Sequence, residues 1–436
     1  MRILGVGDYC HLGAMYLRLG ESGHDLKVYV RDKNYHDVYA NMLNFIFEWS
    51  DELAWIHEAG SDGIIIFESA NYGIFQDHLC KQGYQVIGGS AFGDSLEVNR
   101  EFGQQIMRNT GMQTAKTYQF NNYDKAIEFI NKNKKRYVYK NNGAECLRTQ
   151  NYVGMSENSS DLISLLSHYS RQIEVNSNSV DFILMDYIEG IEIGVGAYFN
   201  GENFLEPACL DWEHKHFFTG NLGELTDEMG TIVTFRGSNF IFQNTLLRLK
   251  GILKESGYCG YINLNMIANE EGLWPLEFTS RFGYPGYAIC AALQVDSWDK
   301  IFKCMLNKTK NNLETYEGFA IGIVLTVPPF PYSFGYDLLS KSLPILFKPS
   351  FNYNNYKSIH FNEVARCGNQ LVTSGFTGNV ATIVESGERI EEAQRKAYSI
   401  AEKIIIPNIR YRQDIGNGLI NGELKQLIDW GYMYYE

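Results

Sequence analysis

Over its first hundred residues the sequence alternates short apolar runs with amphipathic stretches, and that alternation leaves few folds open. RILGVG reads as a strand, HLGAMYLRLGES as a helix and DLKVYV as a second strand; DGIIIFES and YQVIGGS then read as strands separated by the helical stretch FQDHLCKQG. Runs that are apolar on both faces and joined by helical crossovers belong in a parallel sheet covered on both sides. Residues 1–100 are therefore predicted to form a Rossmann-like α/β domain. Its first turn, Gly5-Val-Gly7-Asp-Tyr-Cys-His11, offers backbone N–H groups and a helix N-terminus to an anion such as a phosphate. His11 either touches such a group or caps the helix. A nicotinamide dinucleotide is an alternative ligand, but the third glycine falls at Gly13, off the spacing that fingerprint requires.

At 436 residues the chain exceeds what one simple core accommodates, so about two to four domains are expected. With 45% hydrophobic residues, 20% charged residues and 9 prolines, the composition is that of a folded chain rather than a disordered one. A net charge of −13 argues against nonspecific binding to nucleic acid or an anionic membrane, so an anionic substrate must be gathered by a local basic pocket. The eight cysteines are scattered without a Cys-x-x-Cys pair and read as reduced thiols of a cytoplasmic protein. The N-terminus starts directly with a strand, and no run approaches the ~18 apolar residues of a membrane span.

The segment GYINLNMIANEEGLWPLEFTSR reads as two antiparallel strands joined by the turn NEEG, which places Glu277 on a strand. Burying an unpaired carboxylate is costly, so a positive partner is expected beside it. Alternation puts Glu277, Thr279 and Arg281 on one face. Two oxygen ligands suit a hard cation such as Mg2+, which binds through one or two protein oxygens plus substrate phosphates. A Glu277–Arg281 ion pair at a strand end is the other reading of these residues.

Elsewhere, SLEVNREFGQQIMRNTG and NYDKAIEFINKN are predicted helices, and KRYVYKNNG is a strand ending at Lys140, within reach of a nucleotide phosphate or of solvent. DFILMDYIEGIEIGVGAYFNG reads as two strands, the second carrying Glu192. Pro328, Pro329 and Pro331 mark a linker or crossover, and the tail QLVTSGFTGNVATIVESGERIEEAQRKAYSIAEKI reads as two strands and a helix. The run from Lys132 to Arg136 is expected to be a solvated turn, and Arg412 and Asp414 of YRQDIG to pair structurally. His214 and Lys215 lie on a polar loop, facing either a substrate or solvent.

Four stretches, taken in order, carry a resemblance. EFTSRFGYP looks like the motif Glu-Phe-Asn-Cys-Arg-Phe-Gly-Asp-Pro, and LVTSG…IEEAQRKAYSIAEKI…YRQDIG like a C-terminal domain. GGSAFGDSLEVNREFGQQIMRNTGMQTA and EHKHFFTGNLGELTDEMGT, ahead of both in the chain, match a linker and a loop. Together they resemble, over nearly the whole chain, the phosphoribosylamine-glycine ligase (glycinamide ribonucleotide synthetase) family of the ATP-grasp superfamily. The resemblance implies an α/β and α+β multidomain fold. Its parts would be an N-terminal Rossmann-like domain (1–100), an ATP-grasp domain of two α+β subdomains (101–325, lid 114–185) and a β-rich C-terminal domain of the hybrid-motif type (326–436).

It implies ATP with Mg2+ (or Mn2+) between the subdomains, adenine against Met185, Asp186, Tyr187 and Ile188, and ribose on Glu192. Arg100 and Lys140 would meet the phosphates, Glu277 and Thr279 the metal, and Arg281, Glu277 and Lys215 would be catalytic. Gly5, Gly7, His11, Glu68 and His214 would bind the substrates. The implied chemistry activates glycine or another amino acid as an acyl phosphate and passes it to phosphoribosylamine or a related amine, as in purine biosynthesis. Partners would be small molecules, without nucleic acid or membrane, around a monomer or small homo-oligomer in the cytoplasm.

The sequence departs from the family at three places. The glycine-rich lid becomes Lys140-Asn-Asn-Gly143-Ala-Glu-Cys-Leu-Arg148-Thr-Gln, Thr279 replaces an asparagine, and the motifs around Gly7 and Glu68 differ. A nucleotide-binding protein without catalysis, or a side-pathway ligase with a different amine, is therefore the alternative.

Overall fold

The structure, a computed structural model, describes residues 1–141, 151–176, 180–308 and 311–434. The lid positions from 142 to 150, including Gly143 and Arg148, lie outside the described residues.

Five parallel strands, β1 (Arg2–Gly7), β2 (Asp25–Val30), β3 (Phe45–Ile46), β4 (Gly63–Phe67) and β5 (Gln85–Ile87), form the N-terminal sheet in the order β3-β2-β1-β4-β5. This is the Rossmann-like arrangement the apolar runs predict, and Ile64 to Phe67 are fully buried as a strand covered on both faces requires. Strand order reverses between β1 and β4, so a crevice opens beyond their carboxyl ends.

The segment read as a lid contains a separate antiparallel sheet of β6 (Thr117–Phe120), β7 (Tyr137–Asn141), β8 (Tyr152–Val153) and β9 (Phe182–Asp186), ordered β6-β9-β7-β8. It has its own aromatic core of Tyr123, Tyr137, Tyr139 and Phe182 with Leu162 and Leu166.

Next come β10 (Ile191–Phe199), β11 (Phe204–Glu213), a short hairpin of β12 (His216–Phe218) and β13 (Leu222–Leu225), β14 (Gly230–Thr234), β15 (Gly260–Asn269), β16 (Gly272–Thr279) and β17 (Phe319–Thr326). The C-terminal part adds β18 (Pro344–Phe347), β19 (Ile359–Phe361), β20 (Val364–Cys367), β21 (Gln370–Thr373), β22 (Asn379–Gly387) and β23 (Ile404–Ile405). An eight-stranded antiparallel sheet runs β16-β15-β10-β11-β14-β17-β22-β19, continuous across position 326 because β17 pairs with β22 along its whole length.

Two local expectations change. The single helix predicted over SLEVNREFGQQIMRNTG is two, Ala91–Val98 and Arg100–Asn109, broken at Asn99. Asn99 is extended and its side chain accepts from the N–H of Phe102, capping the second helix and preventing the first from continuing. The run 132–136 is not simply solvated: Lys135 pairs with Asp186 at 2.6 Å, and the Arg136 guanidinium lies 3.5 Å over the Tyr187 ring. Among the described residues no helix is long and apolar enough to cross a membrane.

Candidate active site

The floor of the site is the hairpin end of the large sheet. Antiparallel register sets Glu277 opposite Asn265, Asn265 opposite Gly194 and Gly194 opposite Asp211, one polar row across four strands. A second row runs Thr279, Asn263, Gly196, Cys209. Residues directly opposite share a face, so alternation alone gathers Glu277, Thr279 and both asparagines. The glycines are needed for close approach: a Cβ on Gly194 would run into the Asp211 carboxyl. Asp211 accepts from Asn263 Nδ2 at 2.6 Å, and burial, with Cys209 beside it, raises its carboxyl well above the usual range.

Pairing of β15 with β16 is interrupted after Asn265, where Met266 meets Pro275 and Leu276 is the extra residue. The Leu276 carbonyl accepts from Gln104 Nε2 at 2.7 Å. Leu276 joins Ala115, Val138, Met185, Val153, Tyr187 and Ile188 in a small apolar cluster between lid and sheet. That cluster contains Met185, Tyr187 and Ile188, three of the four residues expected to face adenine. The amides of Asp186 and Tyr187 are used within the protein, by the carbonyls of Lys116 and Arg136.

Three basic residues surround the floor. Arg100, the first residue of its helix, and Lys140, at the end of β7, both approach Glu277 Oε2, at 3.7 and 3.6 Å. Arg100 Nη1 is buried and has no hydrogen-bond partner among the described residues. Burial lowers the Lys140 ammonium from its ordinary range against the pull of Glu277. Lys215 donates to Glu192 Oε1 at 2.6 Å and also pairs with Glu213 at 3.2 Å; Asn265 Nδ2 donates to the same Oε1 at 2.7 Å. Burial works to raise Glu192, but Lys215 and Asn265 outweigh it and hold the group ionised. Burial likewise opposes the charge on Lys215, and Glu192, Glu213 and Glu277 overcome it, so Lys215 is locked in its cationic form.

Arg281 is not the ion-pair partner of Glu277: its Nε donates to Glu97 Oε1 at 3.1 Å, while Glu97 Oε2 accepts from the Ser280 amide at 2.9 Å. Glu277 and Thr279 together make an all-oxygen donor set on one face. No group of three or more His, Cys, Asp or Glu that could hold a metal occurs among the described residues. One carboxylate and one hydroxyl fit a Mg2+ that takes its remaining ligands from phosphates and water, and do not make a protein-only cage.

On the substrate side the predicted residues make contacts within the protein. Part of the first turn is already occupied: Glu68 Oε2 accepts from Leu12 N at 2.7 Å, with the Cys10 and His11 amides also turned to this carboxylate. Gly7 is where a Cβ would strike Glu68, and Gly5 makes room for the ring of Tyr16. The cradle predicted for a phosphate thus holds the protein's own carboxylate, which satisfies the same electrostatics. Burial pushes Glu68 up to about 7. His11 stacks on Tyr284, ring centroids 5.4 Å apart, and burial, with Arg281 nearby, lowers its imidazole to about 4. His214 is committed to the backbone: Nδ1 donates to the Trp212 carbonyl at 3.2 Å and Nε2 accepts from Gly416 N at 3.2 Å. One neutral tautomer satisfies both contacts, and burial with Arg412 close by lowers this imidazole to about 4 as well.

Glu97, Glu213 and Asn265 were missed by sequence reasoning. Asn263 and Asn265 had a signal, two polar residues at period two in the apolar strand GYINLNMIAN, on the face that Glu277 shares. Glu97 had none.

Residues 98–287 match the sequence model described as phosphoribosylglycinamide synthetase, ATP-grasp (A) domain. A phosphoribosylamine–glycine ligase of Streptococcus pneumoniae (strain ATCC BAA-255 / R6) is 25% identical over 385 residues, 86% of each chain. The crystal structure of a phosphoribosylamine–glycine ligase from Thermotoga maritima superposes with a TM-score of 0.72 at 22% identity, covering 95% of this chain and 100% of that one. A biotin carboxylase β,γ-ATP complex from Campylobacter jejuni superposes with a TM-score of 0.62 at 13% identity, covering 98% and 96%, a likeness of fold.

Proposed function

Since this chain is a divergent member of the phosphoribosylglycinamide synthetase family of ATP-grasp proteins, we propose that it is an ATP-dependent carboxylate–amine ligase. Its donor is glycine or another amino acid, and its acceptor is phosphoribosylamine or a related amine. It works in the cytoplasm as a monomer or small homo-oligomer.

A carboxylate is a poor electrophile. In the first step a carboxylate oxygen of the amino acid attacks the γ-phosphorus of ATP, the bond to the bridging oxygen breaks, and ADP leaves. The product is an acyl phosphate. Arg100 and Lys140 neutralise charge on the phosphates, and Arg281, steadied by Glu97, stands by the transferred group. Glu277 and Thr279 hold Mg2+, which when bound screens the triphosphate charge. Glu192, oriented by Lys215 and Asn265 through Oε1, keeps Oε2 for the ribose, and the apolar cluster at Leu276 packs against the adenine. In the second step the amine nitrogen attacks the acyl carbon, phosphate leaves, and the nitrogen loses a proton. The lid subdomain shields the acyl phosphate from water.

The observation that most supports this reading is the buried Arg100 Nη1, with no acceptor among the described residues, beside Lys140 and Glu277. A guanidinium with a buried N–H of this kind favours an anionic ligand. The test is ADP release with glycine and a panel of amines that includes phosphoribosylamine, with hydroxylamine present in parallel to trap acyl phosphate. Amino-acid-dependent ADP release and a hydroxamate product are expected. ATP binding without turnover under every pairing would instead identify a nucleotide-binding protein.

A further inference from the structure

The loop that carries Lys215 is held from the far end of the chain. Arg412, 3% exposed, makes a two-point contact with Asp414, Nε to Oδ1 at 2.5 Å and Nη2 to Oδ2 at 3.1 Å. Its remaining donors reach across to the β12–β13 hairpin: Nη1 to the His216 carbonyl at 3.1 Å and Nη2 to Asn221 Oδ1 at 2.7 Å. Asp414 Oδ2 accepts from Gly220 N at 2.9 Å, and Gly416 N donates to His214 at 3.2 Å. Residues 412–416 therefore grip the base and the tip of the hairpin together. They are themselves fixed to the helix Ile390–Ala401, where Tyr398 Oη donates to the Arg412 carbonyl at 3.0 Å and accepts from Ile415 N at 3.1 Å. On the hairpin's return, the amide and hydroxyl of Thr226 both donate to the Lys215 carbonyl at 2.8 Å. The path ends at the Lys215–Glu192 contact of 2.6 Å.

We infer that Arg412 and Asp414 are positioning residues for nucleotide binding: by clamping the hairpin they hold Lys215, and through it aim Glu192 at the ribose hydroxyls. This rests on the reading of Glu192 as the ribose acceptor. A buried bidentate pair whose other hydrogen bonds all go to one loop has a geometric role, because loosening it frees the loop while leaving the sheet intact.

The test compares affinities for ATP and 2′-deoxy-ATP in the full-length protein. An ionised acceptor on a ribose hydroxyl favours ATP by roughly ten- to a hundredfold. In Arg412→Lys, which cannot bridge Asp414, His216 and Asn221 at once, that preference is expected to collapse toward one, with 2′-deoxy-ATP affinity little changed. Asn221→Gly is the milder companion: it removes one hairpin contact but tolerates the positive φ of 55° at this position, so folding is preserved. It should reduce the preference part of the way. A general structural defect weakens both nucleotides equally. Discrimination kept at its wild-type level in both variants would overturn the clamp and leave the ligase reading standing. A wild-type protein without preference for ATP would instead remove Glu192 from the ribose and the inference with it.

Discussion

Glu277 illustrates why a residue's role depends on its company. Its carboxylate lies within 3.7 Å of two cations, Arg100 and Lys140. Replacing it with glutamine removes negative charge from the place where phosphates are proposed to bind. Glu277→Gln is therefore expected to cost at least about a hundredfold in amino-acid-dependent ADP release, yet to bind ATP more tightly than wild type in EDTA. Calorimetry without divalent metal checks the second half, and weaker binding there would count against the proposed geometry. Glu68 and Glu363 carry the clearest pH signature. Burial raises both to about 7, against the backbone N–H groups at Leu12 in the first and the Thr377 side chain and loop amides in the second. An unfolded glutamate titrates near 4.3, so between ~4.5 and 7 the folded form keeps protons that the unfolded form has released. Their contribution to stability is complete below that window and is lost as pH rises through it, roughly 3–4 kcal/mol for each. Urea unfolding at pH 5 and pH 7.5 should show Glu68→Gln with a smaller decline than wild type; an unchanged decline would place the titration elsewhere.

At the scale of elements, the β15–β16 hairpin was legible because its apolar strands, its NEEG turn and its alternation agree. Lys140 at the end of β7 was legible for the same reason. The break at Asn99 was less so, since the apolar pattern runs through it and only the capping side chain stops the helix. Nor did any pattern announce that Leu276 interrupts the ladder, although that residue joins the apolar cluster with Met185. The two-glycine stripe of β10 follows from packing: Gly194 yields its space to Asp211 and Gly196 to Tyr261 and Asn263. Gly194→Ala is expected to lose about 1–3 kcal/mol by overpacking, read as a lowered urea midpoint at unchanged m-value. Full stability would mean that Asp211 moves aside without cost.

For the whole molecule, the large sheet passes from the ATP-grasp region into the C-terminal part. All eight residues of β17 are buried, and β22 covers its edge. A fragment ending at residue 325 would present that apolar edge to water. It is expected to be insoluble or to bind a hydrophobic dye strongly, whereas a compact, monodisperse fragment would show that the sheet closes without β22. The N-terminal and C-terminal parts also meet directly, with Tyr39 N donating to the Val364 carbonyl at 2.6 Å and Gly375 N to Asp37 at 3.0 Å. The sequence by itself determined the parallel N-terminal sheet, the hairpin and the face on which Glu277 and Thr279 lie, because periodicity is a property of neighbours along the chain. Only the tertiary structure decided that Glu97 holds Arg281, that Glu68 fills the first turn, and that Arg412 steadies Lys215. Those contacts join residues separated by 184, 56 and, at His216, 196 positions. No local pattern encodes such pairs, since which distant groups meet is settled when the layers pack and each buried charge must find a partner.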